Sequence, residues 1–331
     1  MMIHNKDRLW PLALLLGAAV AVQGCNDKPA EPPRAATAVQ AVQTPFAPLT
    51  VQHQLGTTVI ERVPQRVVAL DMNEVDFLDQ LGVPVAGMPK DFIPHFLARY
   101  RDASGVEDLG SIVQPNLERV HAARPDLILI TSLQANHYQA LSEMAATVHF
   151  DVDYRDSESR HIEVIRQHLL TLGQIFGKSV LAEQKARALD ARVEEARAIT
   201  RGRPERALVV LHNNGAFSSF GVQSRYGFVF TGLGVKPASP TAEAGLHGQP
   251  VSSEFIQQAN PDIIYVVDRT AVMERRPAVA IESMGNPLLR QTNAWKNGRV
   301  IVVDAQAWYV TGASPSALQQ VIDDVIKGYQ G

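Results

Sequence analysis

The side chains that could do chemistry in this sequence are few, and none is arranged for turnover. There is no Gly-x-Ser-x-Gly, no His-Glu-x-x-His, no Gly-x-x-x-x-Gly-Lys-Ser/Thr and no Gly-x-Gly-x-x-Gly after a strand. The nucleophile elbow, the zinc-protease helix and the phosphate-cradling loops are therefore missing. His212, with Asn213 and Asn214, follows an apolar strand where a catalytic group could sit, but no partner is evident. A single cysteine, Cys25, excludes an intrachain disulfide and a Cys-x-x-Cys zinc site. What remains suits binding. His247 lies in Ala244-Gly-Leu-His-Gly-Gln-Pro250, a glycine-flanked loop from which an imidazole can swing toward a cleft. A plain surface histidine fits the same residues. Arg225 lies in Ser224-Arg-Tyr-Gly, opening a helix, and Arg269 follows the apolar run 263–268. Each guanidinium stays charged and can fork onto an anion, or can make a surface salt bridge, Arg269 with Asp268 for example. Tyr309 and Trp308 follow a strand over 300–304, a place where a buried aromatic is also common.

The elements that must position these groups come in two similar sets. Residues 116–130 read NLERVHAARPDLILI and residues 252–266 read SSEFIQQANPDIIYV. Each predicts a helix, Pro-Asp, and a buried strand. Glu118 and Glu254 stand eight residues before Asp126 and Asp262, at the starts of these equivalent helices. An acid there also complements the helix dipole. Upstream, Arg66-Val-Val-Ala-Leu70 pairs with Arg206-Ala-Leu-Val-Val210, and Leu81-Gly-Val83 with Leu233-Gly-Val235. Four matched features in one order predict an internal repeat. Continuous apolar strands alternating with amphipathic helices predict an α/β fold with two Rossmann-like lobes, each on a parallel sheet, and a cleft between them. The N-terminal lobe is expected over 49–157, linking helices over 158–203 and the C-terminal lobe over 204–331. A break falls at Gly177-Lys178, and a long stiff helix is expected to carry the chain between the lobes. Alternation from Thr50 to Glu61 predicts a short hairpin on the first lobe.

The N-terminus reads as an address. Lys6 and Arg8 precede the apolar run 9–22, which is shorter than the ~20 residues of a membrane span. It ends at Val22-Gln-Gly-Cys25, similar to the lipobox of bacterial lipoproteins, with Gln23 where a small residue is preferred. Residues 1–24 are the expected signal peptide, Cys25 the lipidation site, and the Pro/Ala-rich stretch 25–48 a flexible tether. The chain has 331 residues, 46% hydrophobic and 20% charged, with a net charge of −3. With no basic excess, nucleic acid is not expected as a partner. A protein held at the outer surface of a bacterial membrane is expected, in the periplasm or cell envelope.

The body resembles the helix-linked class of periplasmic substrate-binding proteins of ATP-driven importers, and within it the ferric-catecholate siderophore binders. The residues that carry this are Gly56-Thr-Thr-Val-Ile-Glu61, Val63-Pro-Gln-Arg-Val-Val68, Ser219-Phe-Gly221, Ser224-Arg225, Leu246-His-Gly248, Val267-Asp-Arg269 and Ala307-Trp-Tyr309, in order. The resemblance implies no intrinsic cofactor and no catalysis. Its cargo is Fe(III), carried as a siderophore complex. A bis-catecholate leaves two of six coordination sites open, and the resemblance assigns them to His247 and Tyr309. It gives Arg225, Arg269 and Trp308 to the anionic ligand, and Glu118 and Glu254 to arginines of an ABC permease dimer. The role suits a monomer. Many relatives place a lysine and an arginine where Val113 and Leu133 stand, so a less anionic or more apolar ligand is expected here. Haem, cobalamin or another metal chelate on the same fold stays open, and an envelope enzyme is the remaining alternative.

Overall fold

Apolar runs in this chain become strands covered on both faces. The computed structural model describes residues 46–153, 157, 160–239 and 247–330. The signal peptide, Cys25, most of the tether and residues 244–246 before His247 lie outside the described residues. The described chain opens with an antiparallel hairpin, β1 (Leu49–His53) and β2 (Gly56–Ile60). Thr58 Oγ1 ties it to the first lobe by donating to the carbonyl of Thr147.

The first lobe runs β3 (Val67–Ala69), α1 (Met72–Gln80), β4 (Val85–Met88), β5 (Glu107–Asp108), α2 (Leu117–Ala122), β6 (Leu127–Thr131), α3 (Tyr138–Ser142) and β7 (Ala146–Phe150). Its sheet has the order β5-β4-β3-β6-β7 and every pairing is parallel. Val67, Ala69, Leu127 and Leu129 enter the main core, while Val68, Leu70, Ile128 and Ile130 enter a second core on the other face. Burial on both faces is why these strands show no polar alternation.

Two helices then link the lobes, α4 (His161–Ile175) and α5 (Ser179–Thr200). The expected long connecting helix is α5, and the expected break at Gly177-Lys178 is where the chain reverses: Gly177 takes a left-handed φ of 64°, and the two helices pack antiparallel. Arg166 Nε meets Asp190 Oδ2 at 3.3 Å across the hairpin. Gly173 lies where a Cβ would stand 2.3 Å from Ala182 Cβ, so the close packing needs glycine there. Helix α5, about 33 Å long at 1.5 Å per residue, reaches both lobes. Lys185 donates to Gln80 of α1, and Thr200 Oγ1 donates to the Leu233 carbonyl.

The second lobe runs β8 (Arg206–Asn213), β9 (Ala216–Phe220), α6 (Gly227–Thr231), β10 (Lys236–Pro237), β11 (Gln249–Val251), α7 (Ser253–Ala259), β12 (Ile263–Asp268), α8 (Arg269–Glu274), α9 (Ile281–Met284), α10 (Asn293–Lys296), β13 (Val300–Val302) and α11 (Pro315–Gly328). Its sheet is mixed rather than parallel, which corrects the expectation for this half. The order is β11-β9-β8-β12-β13, with β9 antiparallel to both β8 and β11. Asn214 and Gly215, both at positive φ, turn β8 straight back into β9. The short β10, the counterpart of β4, keeps only the first residues of β8 as parallel partners.

The repeated motifs do the same work twice. Asp126 accepts from the backbone N–H groups of Gln65 and Arg66, and Asp262 from that of Arg206, so each Pro-Asp pins its strand to the neighbouring one. The Arg66 guanidinium reaches the carbonyl of Ala123 just after α2, and Arg206 those of Ala259 and Asn260 at the end of α7. Gly82 and Gly234, at φ of 62° and 77°, close α1 and α6.

Candidate functional site

A cleft of about 310 Å³ lies between the lobes, and its two walls differ in chemistry. The first lobe contributes Phe92, Ile112, Val113 and Leu133, all apolar. The second contributes Arg225, His247, Arg269 and Tyr309, with Val272, Met273 and Val310 beside them.

Each polar group is held by the element that carries it. Tyr309 sits on a π-helical turn, Gln306–Thr311, that follows β13. The next glycine, Gly312, ends the turn, and the N–H of Ala313 donates to Asn73 Oδ1 of α1 at 3.0 Å. Arg269 opens α8 at the end of β12, the strand end where ligands of α/β proteins bind. Its Nε donates to Tyr309 Oη at 2.8 Å and its Nη1 to Asn213 Oδ1 at 3.3 Å. It does not pair with Asp268, whose carboxylate accepts from Ala271 and Val279 instead. Arg225 is buried, donates to the Tyr309 carbonyl at 3.0 Å, and lies 5.0 Å from the centre of the Tyr309 ring. Arg269 lies 5.7 Å from the same ring, so two guanidinium groups flank one phenol.

His247 stands just before β11. Gly248, at φ of 70°, passes so close to β9 that a Cβ would meet the Ser219 carbonyl at 2.7 Å. That close approach brings the imidazole alongside Tyr309, with ring centres 6.4 Å apart and planes 27° from parallel. Partial burial, then Arg269 and Arg225, lower the His247 pKa below the usual histidine range. The ring is thus neutral near pH 7 and keeps a lone pair.

Four of the sequence-derived residues therefore meet at one cavity: His247, Tyr309, Arg225 and Arg269. Trp308 does not, and its expected ligand role is corrected. It is fully buried, packs against Tyr226 and Tyr265, and donates from Nε1 to Asp324 Oδ2 at 2.9 Å. Glu118 and Glu254 lie away from the cleft, exposed in the first turns of α2 and α7. His212 is structural: it is buried, 3.4 Å from Asp268, and accepts from the Gly215 N–H. Sequence reasoning missed Phe92, Ile112, Val272, Met273 and Val310, because an apolar cleft residue has the same sequence signature as a core residue. Asn213 was visible beside His212, but its use, orienting Arg269, was not.

The arrangement offers one phenol oxygen, one imidazole nitrogen and two fixed cations facing an apolar wall. Oxygen and nitrogen donors beside guanidinium groups suit an anionic chelate of a hard metal ion better than a bare ion. Among the described residues no cluster of three His, Cys, Asp or Glu side chains could hold a metal alone. Comparison with known proteins agrees with the two-lobed reading. The chain is 57% identical to the ferric-anguibactin-binding protein FatB of Vibrio anguillarum, over 96% of this chain and 97% of that one. It is 32% identical to the petrobactin-binding protein YclQ of Bacillus subtilis, over 96% and 98%. Among solved structures, it matches the siderophore-binding protein BauB, held with two acinetobactin molecules and ferric iron, at a TM-score of 0.83. That match has 61% identity and covers 86% of this chain and 99% of the other. The family model described as "Periplasmic binding protein" matches residues 67–307, most of the described body, and the chain belongs to that family.

Proposed function

We propose that this protein binds a ferric siderophore in the cleft between its lobes and hands it to an ABC permease for iron uptake. The observation that carries the reading is the meeting of His247, Tyr309, Arg225 and Arg269 on one wall of one cavity. The imidazole and the phenol fill coordination sites that a tetradentate ligand leaves open, and the arginines offset the chelate's negative charge. The protein contributes binding and delivery, with no chemistry of its own.

The opposite wall narrows the ligand. Phe92, Ile112, Val113 and Leu133 carry no charge, so the chelate face turned to them is an apolar or aromatic surface of low net charge. A chelate assembled from two small ligands around one iron, as BauB holds, is the form proposed here. The test is a tryptophan-quenching titration with ferric complexes of differing charge. Weakly charged tetradentate complexes are expected to bind more tightly than trianionic ones. Val113→Lys with Leu133→Arg is expected to reverse that order, shifting each affinity by about tenfold, the scale of one new charge-assisted bond. Absence of quenching by every ferric siderophore would refute the reading.

Delivery needs a docking face. Glu118 and Glu254 occupy equivalent exposed turns, one per lobe, which suits the two-fold face of a permease dimer. Glu118→Lys with Glu254→Lys is expected to abolish siderophore-dependent iron uptake in cells while leaving the affinity for the ferric complex unchanged. Loss of both together would assign these residues to the fold instead. Lipidation at Cys25 would hold the protein at the membrane within reach of the permease. Among the described residues no helix is long and apolar enough to cross a membrane.

A further inference from the structure

A second cavity, of about 470 Å³, adjoins the chelate cleft and shares Phe92, Val272 and Val310 with it. Its character is different. Lys90 and Arg101 line it from the first lobe, and Arg275 and Arg276 from the second. Asp91 is the one acid in the lining, and its carboxylate is already used, accepting from the N–H of Ile112 at 3.2 Å. Among the described residues Lys90, Arg101 and Arg275 have no carboxylate at ion-pair distance, and Arg276 has Glu274 at 3.1 Å. Arg275 already crosses the junction, donating to the Asp91 carbonyl at 2.9 Å. With Arg276 paired to Glu274, the three other cations face the one lining acid, Asp91, and leave a net positive charge in a concave site, where field lines focus on an anion.

We propose that this compartment binds a small multivalent oxyanion, of phosphate or carboxylate type, held by cations from both lobes. An anion here would bridge Lys90 and Arg101 to Arg275 and Arg276, and so link the lobes beside the chelate. The chemistry is shared by two sources, a free ion and a carboxylate carried on the ferric complex. The second source rests on the siderophore reading above; the first does not.

The test uses the full chain. In one arm, pyrophosphate is titrated by calorimetry with no iron present. In the other, a pair of ferric complexes that differ only by a pendant carboxylate is compared by quenching. Saturable 1:1 binding of pyrophosphate assigns a free ion, and tighter binding of the carboxylate-bearing complex assigns the chelate. In either case Arg275→Gln with Arg276→Gln should weaken the effect by about tenfold or more with the melting temperature unchanged, and added salt should weaken it further, since these arginines are exposed. Arg225→Gln with Arg269→Gln should leave pyrophosphate binding intact. Failure of both arms, or an effect lost through Arg225 and Arg269 but kept without Arg275 and Arg276, overturns the proposal. A protein that binds pyrophosphate but no ferric complex keeps this site and loses the siderophore reading.

Discussion

Tyr309→Phe is expected to lower the affinity for a ferric siderophore by about 100-fold, the equivalent of two charge-assisted bonds near 1.5 kcal/mol each. The substitution removes a single oxygen. That oxygen accepts from Arg269 Nε at 2.8 Å and is the hard donor that the proposed function gives to Fe(III). The ring stays, with Arg225 and Arg269 still over its faces, so lost packing cannot account for a large change. A phenolate-to-iron band in the visible spectrum of the complex should vanish in the same variant. Acid adds an independent check through His247. Its imidazole must be neutral to reach iron, and its pKa is lowered, by burial first and then by the two arginines. Proton competition therefore begins only below the ordinary histidine value of about 6.5. Arg269→Gln removes one of those charges, raises the His247 pKa and moves the onset of acid release to higher pH. An affinity for Tyr309→Phe within twofold of the parent, with the band intact, would remove Tyr309 from the coordination sphere.

How much of this was legible in the residues follows from what each signal measures. The Pro-Asp strands and the Leu-Gly-Val turns were readable because backbone needs impose them: Asp126 and Asp262 hold neighbouring strand ends, and Gly82 and Gly234 take left-handed φ. The mixed second sheet was also written in the sequence, since Asn214-Gly215 between apolar runs is a hairpin signal. The expectation of symmetry with the first half overrode it. The connector was readable only in part. Helix propensity is local, and it takes contacts such as Gly173 with Ala182 and Arg166 with Asp190 to say that α4 and α5 lie side by side. Polar site residues could be proposed because the resemblance singled out His247, Tyr309, Arg225 and Arg269, each of which read alone as a surface or buried residue equally well. The apolar wall could not, because Phe92 and Ile112 differ from core residues only in what they face.

The adjacent pair Trp308 and Tyr309 shows this limit most sharply, and it yields the second large effect. Trp308→Ala is expected to destabilise the protein by about 3–5 kcal/mol, the usual cost of emptying a large aromatic site. The side chain is fully buried between Tyr226 and Tyr265. Its N–H also supplies one of the two donors to Asp324 Oδ2, the other being the N–H of Asp304. Trp308→Phe keeps a six-membered ring but loses that donor and leaves a smaller cavity, so a cost of about 1–3 kcal/mol is expected. Thermal or denaturant unfolding measures both. The informative comparison is with binding: under conditions where it remains folded, Trp308→Phe should hold its ferric complex within about threefold of the parent, whereas Tyr309→Phe should not. A large affinity loss in Trp308→Phe without a stability loss would return Trp308 to the ligand. The π-helical turn sends these neighbouring side chains to different places, Trp308 into the core and Tyr309 into the cleft. Trp308 anchors the turn that carries Tyr309, and the two substitutions separate holding the site from being the site.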